Sequence, residues 1–420
     1  MSGSDAGAAA HGADTAARRN AVMTVFGLAG FGIASWLSRI PTARADLGAQ
    51  TIQMGVLALA VSIGSITGFT AAGRLPRMPP ARAIRGSLAI AALGLVGAAL
   101  GSDLLRSVAF AFVALLLLGF GAGVCNVVMN VQAAAVCRAQ GRDTMPRFHA
   151  MFSIGGVVGA ACGAAATALH LGLLPHLAAS AGVVAVGAVL AVRPLLGQNG
   201  AMSNPIGVAP GEGRSRRSAW AEPRTLLVGL VALGMSFATG SANDWVALAM
   251  VSDRHVPAAI GSAAYGVFVV SMTTTRLLGH RLLARLGRAS VIRVSAACTA
   301  IGIAVFVLGP GPGVAIVAVV LWGAGAALGF PVAMSSAAED PSRSAARIGV
   351  VATIGYAASL SGPALIGFLG QLLGLSEALL PVVVFVAFAG LAAPALGRAE
   401  RERPRPGRRQ GDHRTRRKVV

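Results

Sequence analysis

Residues 108–134 read VAFAFVALLLLGFGAGVCNVVMNVQAA, 27 consecutive positions without a charge. At 1.5 Å rise per residue such a run extends about 40 Å as a helix, more than the ~30 Å hydrocarbon core of a bilayer. A helix satisfies every backbone N–H and C=O inside its own segment, so an uncharged run of this length spans a membrane in that form. Eleven further apolar runs flank it. The twelve spans are read at 21–40, 52–72, 84–102, 108–134, 148–170, 173–193, 225–250, 258–279, 289–309, 314–337, 347–371 and 375–396. The composition agrees: of 420 residues, 55% are hydrophobic and only 12% charged, half the share of a soluble chain. Mean hydropathy is +0.72. The 55 glycines suit helices that must approach closely in lipid.

The formal charge of +20 could suggest a nucleic-acid partner, but its placement argues against one. An even number of spans puts both termini on one side, and 31 of the 35 Lys and Arg fall on that side. Only Arg39, Arg44, Arg106 and Arg254 fall on the other. Positive-inside placement then makes the termini cytoplasmic. One Lys against 34 Arg suggests a GC-rich bacterial genome and hence an inner-membrane location. Arg18-Arg19, the following apolar run and Ala43-Arg44-Ala45 could also be read as a cleavable signal peptide, but that run is long for one. The four cysteines are isolated, and neither disulfide nor metal site is expected.

The expected organisation is a disordered cytoplasmic lead over 1–16, a six-helix bundle over 17–193, a cytoplasmic linker over 194–223, a second bundle over 224–397 and a basic cytoplasmic tail over 398–420. Arg147, Ser153, Ile154 and Gly155 match Arg347, Thr353, Ile354 and Gly355. Gly119-x-Gly121 matches Gly323-x-Gly325, and Trp36 matches Trp245. The matches keep their order at an offset near 200–209. They imply two parallel repeats related by an axis along the membrane normal.

Arg276-Leu-Leu-Gly279-His-Arg-Leu-Leu-Ala-Arg285-Leu-Gly287-Arg288, after span eight, resembles the G-x-L-x-D-R-x-G-R loop of the major facilitator superfamily, with the Asp missing. Its counterpart after span two, Gly73-Arg-Leu-Pro-Arg77, is more degenerate, and Arg77 stands where the Asp would be. Asn126-x-x-x-Asn130-x-Gln132, Arg147-Phe-His149, Asn243-Asp244-Trp245, Gly329-Phe-Pro331 and Gly355-Tyr356…Ser361-Gly362-Pro363 resemble the fucose-permease-like branch and related bacterial permeases. The resemblance covers nearly the whole chain. It implies an all-α membrane fold of twelve transmembrane helices in two pseudo-symmetric six-helix bundles, and secondary active transport. It also implies a charge-bearing gate at Arg77, Gly279, Arg285, Gly287 and Arg288, with another acid needed where the Asp is absent. Branch members carry coupling carboxylates on spans one and four. Here the span-four position is Asn126 and span one has no acid, so that assignment does not transfer directly.

A charge at the bilayer centre costs at least ~2.5–3.5 kcal/mol, so each one needs a reason. Asp244 on span seven is the only acid well inside a span, Glu377 standing at the very start of the last one. It is read either as a proton-coupling or substrate-binding carboxylate, or as one paired with Arg39. Arg39, in Trp36-Leu-Ser-Arg39-Ile-Pro41, is read as a substrate contact or as a residue snorkelling to the headgroups. Asn126 and Asn130, four residues apart, share a helix face and suit hydrogen bonds to a polar solute or to another helix. Trp36 and Trp245 are read as stacking platforms or as an interfacial belt. Asn243 and Tyr356 complete the candidate substrate-binding set. Gly155, Gly159 and Gly163 form a small-xxx-small packing stripe.

No nucleotide-binding loop and no nucleophile–base–acid constellation are present, so neither an ATP-driven pump nor an enzyme is expected. The reading is a transporter of a small solute, sugar-like or another polar metabolite, working by alternating access and proton-coupled. Its expected partners are that solute, protons and membrane lipid, with no cofactor, no nucleic acid and a monomeric state. Export of amphipathic compounds, uncoupled facilitation and a non-transporting receptor or scaffold remain alternatives.

Overall fold

The computed structural model describes residues 3–72, 78–140, 144–195, 218–339 and 343–397. Arg77, the tail over 398–420 and most of the 194–223 linker lie outside those residues. Eleven helices among the described residues are long and apolar enough to cross a membrane. They run Thr15–Leu37, Thr51–Ala72, Pro80–Leu104, Val108–Gln140, Met145–Ala168, Leu173–Ala191, Pro223–Arg254, Ala258–Leu308, Gly311–Ala337, Ala346–Leu373 and Glu377–Leu396. The helical trace of the first begins at Gly3, over residues whose composition predicts a disordered lead.

The eighth of these helices contains two spans. Ala258–Leu308 has 51 residues, and its only non-helical backbone is at Gly287, with φ 72° and ψ 161°. Those angles are open to glycine and strained for any L side chain, so the chain reverses there. Span eight therefore ends at Gly287 and not at 279 as the apolar pattern suggests. Arg281, Arg285 and Arg288 leave the lipid, but leucine, arginine and alanine keep good helix propensity in the aqueous interface. With this turn the chain makes twelve crossings. A short helix, Ile40–Leu47, lies between spans one and two on the side opposite the termini and was not foreseen.

Span ten is broken at Ala327–Leu328, between helices Gly311–Ala326 and Gly329–Ala337. Pro331 has no N–H to give to the Ala327 carbonyl four residues back. Arg276 of span eight supplies the missing donor, its Nε lying 3.2 Å from the Ala327 oxygen.

The repeat is visible in the packing. Span five packs on span one so closely that a Cβ at Gly155 would lie 2.0 Å from the Gly27 carbonyl oxygen. Span eleven packs on span seven as span five packs on span one, but there the closest neighbour of Gly355 is the Phe330 ring of span ten, with Ala232 in ordinary contact. Gly159 and Gly163 continue the stripe against Phe31 and Ser38. The glycine stripe is thus a seam inside the first half.

Spans two and eleven, and spans five and eight, pack across the two halves. On the side away from the termini these seams are tight. Gly55 meets Pro363 and Gly367 backbone to backbone. Ser262 Oγ donates to the Ser38 carbonyl at 2.5 Å, and Arg44 reaches Ser252 Oγ at 2.5 Å.

Candidate solute site between the two halves

Span one ends at Trp36-Leu37, and the Ile40–Leu47 helix turns away from it. This brings the span-one end against span two and, across the seam, against span seven. The cavity enclosed there is lined by Trp36, Leu37, Ile40, Met54, Leu57, Ala58, Val61, Asp244 and Trp245. Three expected site residues, Trp36, Asp244 and Trp245, therefore meet at one place. The volume is only about 20 Å³, room for a single water. Trp36 and Trp245 are 2% and 1% exposed, which removes them from any interfacial belt.

Asp244 is partly buried, its exposed portion facing the cavity, and no cation pairs with it among the described residues. The Trp245 indole N–H and, one turn before it, the Ser241 hydroxyl are buried without hydrogen-bond partners. Tyr265, on span eight and 3% exposed, lies within electrostatic reach of Asp244. Sequence reading did not single out Tyr265; its position about two turns into span eight was the available signal.

Arg39 does not pair with Asp244. It is 1% exposed, donates from Nη2 to the Leu171 carbonyl at 2.7 Å, and interacts with Asp46 and Asp103 within the first half. Chain geometry decides this: Arg39 lies beyond the end of span one and turns under span six. Its burial also excludes snorkelling. Desolvation pulls its guanidinium below the usual arginine range, opposed by Asp46 and Asp103. Asp46 on the short helix is raised, first by burial and then by Asp103.

Asn126 and Asn130 share a face as their spacing requires, but they bond along their own helix. Asn130 Nδ2 donates to the Asn126 carbonyl at 2.7 Å. Both are partly buried on span four, outside the Asp244 cavity. Asn243 is partly buried next to Asp244. Tyr356 is 38% exposed and stands between Phe69 of span two and Phe330 of span ten, with ring centroids 5.4 and 6.0 Å away. It therefore sits on the seam, nearer the terminal side.

Arg288, at the end of the loop after span eight, meets an acid from elsewhere in the chain. Arg288 pairs with Glu339 Oε1, and Arg224 Nη2 lies 2.6 Å from Glu339 Oε2. Glu222 holds Arg347 at 2.8 Å and Arg343 at 2.5 Å, the latter outside hydrogen-bond geometry. Burial raises the Glu222 carboxyl, but hydrogen bonds from Arg347 and Thr225 and the two arginine charges outweigh it and hold it below its usual range. Glu339 follows span ten and Glu222 precedes span seven, so both pairs brace one rim of the second half. Gly279 packs against Leu328 at the span-ten break, and Arg285 is exposed.

Two six-helix halves, a central cavity bounded by both and a tight seam on one side define a membrane transport protein. The chain belongs to the Major Facilitator Superfamily, whose family model matches residues 145–363. An uncharacterized MFS-type transporter of Yersinia pestis is 33% identical over 89% of this chain and 94% of its own length. The uncharacterized transporter y4wD of Sinorhizobium fredii is 32% identical over 88% and 96%. Among solved structures, the nucleoside transporter NupG covers 92% of this chain and all of its own, with a TM-score of 0.69 at 15% identity. The E. coli fucose:proton symporter FucP covers 90% and 98%, with a TM-score of 0.61 at 14% identity. At such identities these two likenesses establish the fold alone.

Proposed function

We propose that this chain carries a small polar solute across the bacterial inner membrane by proton-coupled alternating access, with Asp244 as the coupling carboxylate. Solute transport follows from the family; the solute class and the coupling are our reading. One observation carries it: Trp36 from the first half and Asp244 and Trp245 from the second close on one cavity, and Asp244 has no cation beside it. A carboxylate held between apolar helices needs a compensating positive charge. A proton, or a cationic group of the solute, supplies that charge and is released when the halves rock and water enters. The orphaned Trp245 N–H and Ser241 hydroxyl support a polar solute, because buried polar groups without partners are costly unless something reaches them. NupG carries nucleosides and FucP carries fucose with protons, in keeping with this class. The basic residues favour cytoplasmic termini, so the tight seam lies on the periplasmic side and this arrangement is closed there.

The test is the melting temperature of the detergent-purified protein against a library of sugars, nucleosides, amino acids, organic acids and drugs. A ligand at one hundred times its Kd adds ~2.7 kcal/mol. Polar hits whose shifts vanish in Asp244→Asn and Trp36→Ala support the reading. Hits confined to amphipathic drugs would move it to export, and no hit at all would favour a non-transporting role.

A further inference from the structure

The described spans hold a second intramembrane charge that the Asp244 cavity does not use. Arg276 lies five residues before Arg281, where the helix leaves the lipid, so it sits ~8 Å inside the cytoplasmic end of the apolar part of span eight at 1.5 Å per residue. Its only hydrogen bond is from Nε to the Ala327 carbonyl, and it forms no ion pair with any described acid. Neither Nη group has an acceptor among the described residues. Spans five and eight run antiparallel across the seam, with Gly156 opposite Val269 and Ala160 opposite Gly266. Two turns further toward the cytoplasm on each helix this register brings His149 opposite Arg276. His149 is exposed, packs edge-on to Phe26 at 5.4 Å, and feels the Arg276 charge. A guanidinium and an imidazole thus face each other between the moving halves, with only one of their donors committed.

We propose that Arg276 and His149 form an anion-binding subsite on the cytoplasmic side of the path, and that the transported solute carries a carboxylate or phosphate group. The inference rests on the transport reading above and specifies its substrate class. A cation held between packed apolar helices is costly when unpaired, and an anion bridging Arg276 Nη and the His149 ring N–H would neutralise it and draw the halves together. Asp244 lies ten residues from the periplasmic end of span seven and Arg276 eighteen from that of span eight, ~12 Å apart along the membrane normal. The two charges therefore act on the solute in succession.

The experiment measures melting temperature at constant ionic strength with matched probes: lactate against lactamide, gluconate against glucose, and glycerol 3-phosphate against glycerol. The expected result is that anionic members stabilise the protein and neutral partners do not. His149→Gln leaves the Ala327 cap intact and should raise the concentration needed about ten-fold; Arg276→Lys, which keeps the charge but loses the fork, should do so as well. Arg276 acting only as a cap would lower the basal melting temperature without changing the preference for anions. Anion shifts that survive both variants would overturn the proposal. Shifts from neutral members that depend on Asp244 would overturn it while sparing the transport reading. Silence from all six probes would overturn it as well.

Discussion

Asp244 is the one acid well inside a span, and among the described residues its surroundings offer it a cavity and two tryptophans but no cation. Asp244→Asn keeps the shape and removes the charge. Uptake driven by a pH gradient should fall at least roughly ten-fold, equivalent to about 1.4 kcal/mol, and lose its pH dependence. Stability should hold or rise, since a buried charge is lost; transport assays and melting curves check both. Gly155 makes the opposite kind of demand. Gly155→Leu drives a side chain into the Gly27 carbonyl and should cost at least about 1–3 kcal/mol, read as lost monodisperse protein, whereas Gly86→Ala, which meets open space, should be silent. Composition revealed Asp244 because a lone acid among apolar residues stands out. Arg39 looked like its partner because both lie toward the face opposite the termini. Only the turn after span one, which no periodicity encodes, sends Arg39 under span six.

Helices and their breaks were mostly legible in the sequence, because uninterrupted apolar runs bounded by arginines measure the bilayer directly. Two breaks escaped. Span eight runs on to Gly287 because arginine does not stop a helix. Span ten breaks because Pro331 leaves the Ala327 carbonyl to Arg276. Gly287→Ala should cost about 1–3 kcal/mol through its positive φ and loosen the turn between spans eight and nine, visible as a lower melting temperature and faster proteolysis there. The acid that Arg288 meets was also hidden, since Glu339 is far from the loop in sequence. The Glu222 carboxyl is depressed in the folded state. Its stabilising effect is therefore complete above its unfolded value of about 4.3 and is lost as pH falls through the lower folded value. Glu222→Gln should flatten the acid limb of the stability curve below about pH 4 and leave neutral stability within about 1 kcal/mol, as suits partly exposed pairs.

The whole molecule is two similar six-helix bodies meeting along two antiparallel seams, and the proposed alternating access requires the ends of those seams away from the termini to part. Ser38 and Ser262 touch across one of them. Paired Ser38→Cys and Ser262→Cys, in a background without the four native cysteines, should trap the closed side when oxidised and stop transport, with recovery on reduction. The offset between matched residues disclosed the two bodies before any coordinates, but not which faces meet, because that depends on helix rotation within lipid. The most direct test reconstitutes the protein in liposomes carrying a pH-sensitive dye and adds each stabilising solute in turn. We predict that at least one solute drives proton movement in the wild type and none does in Asp244→Asn. Solute flux that is equal in both proteins and indifferent to pH would contradict proton coupling through Asp244.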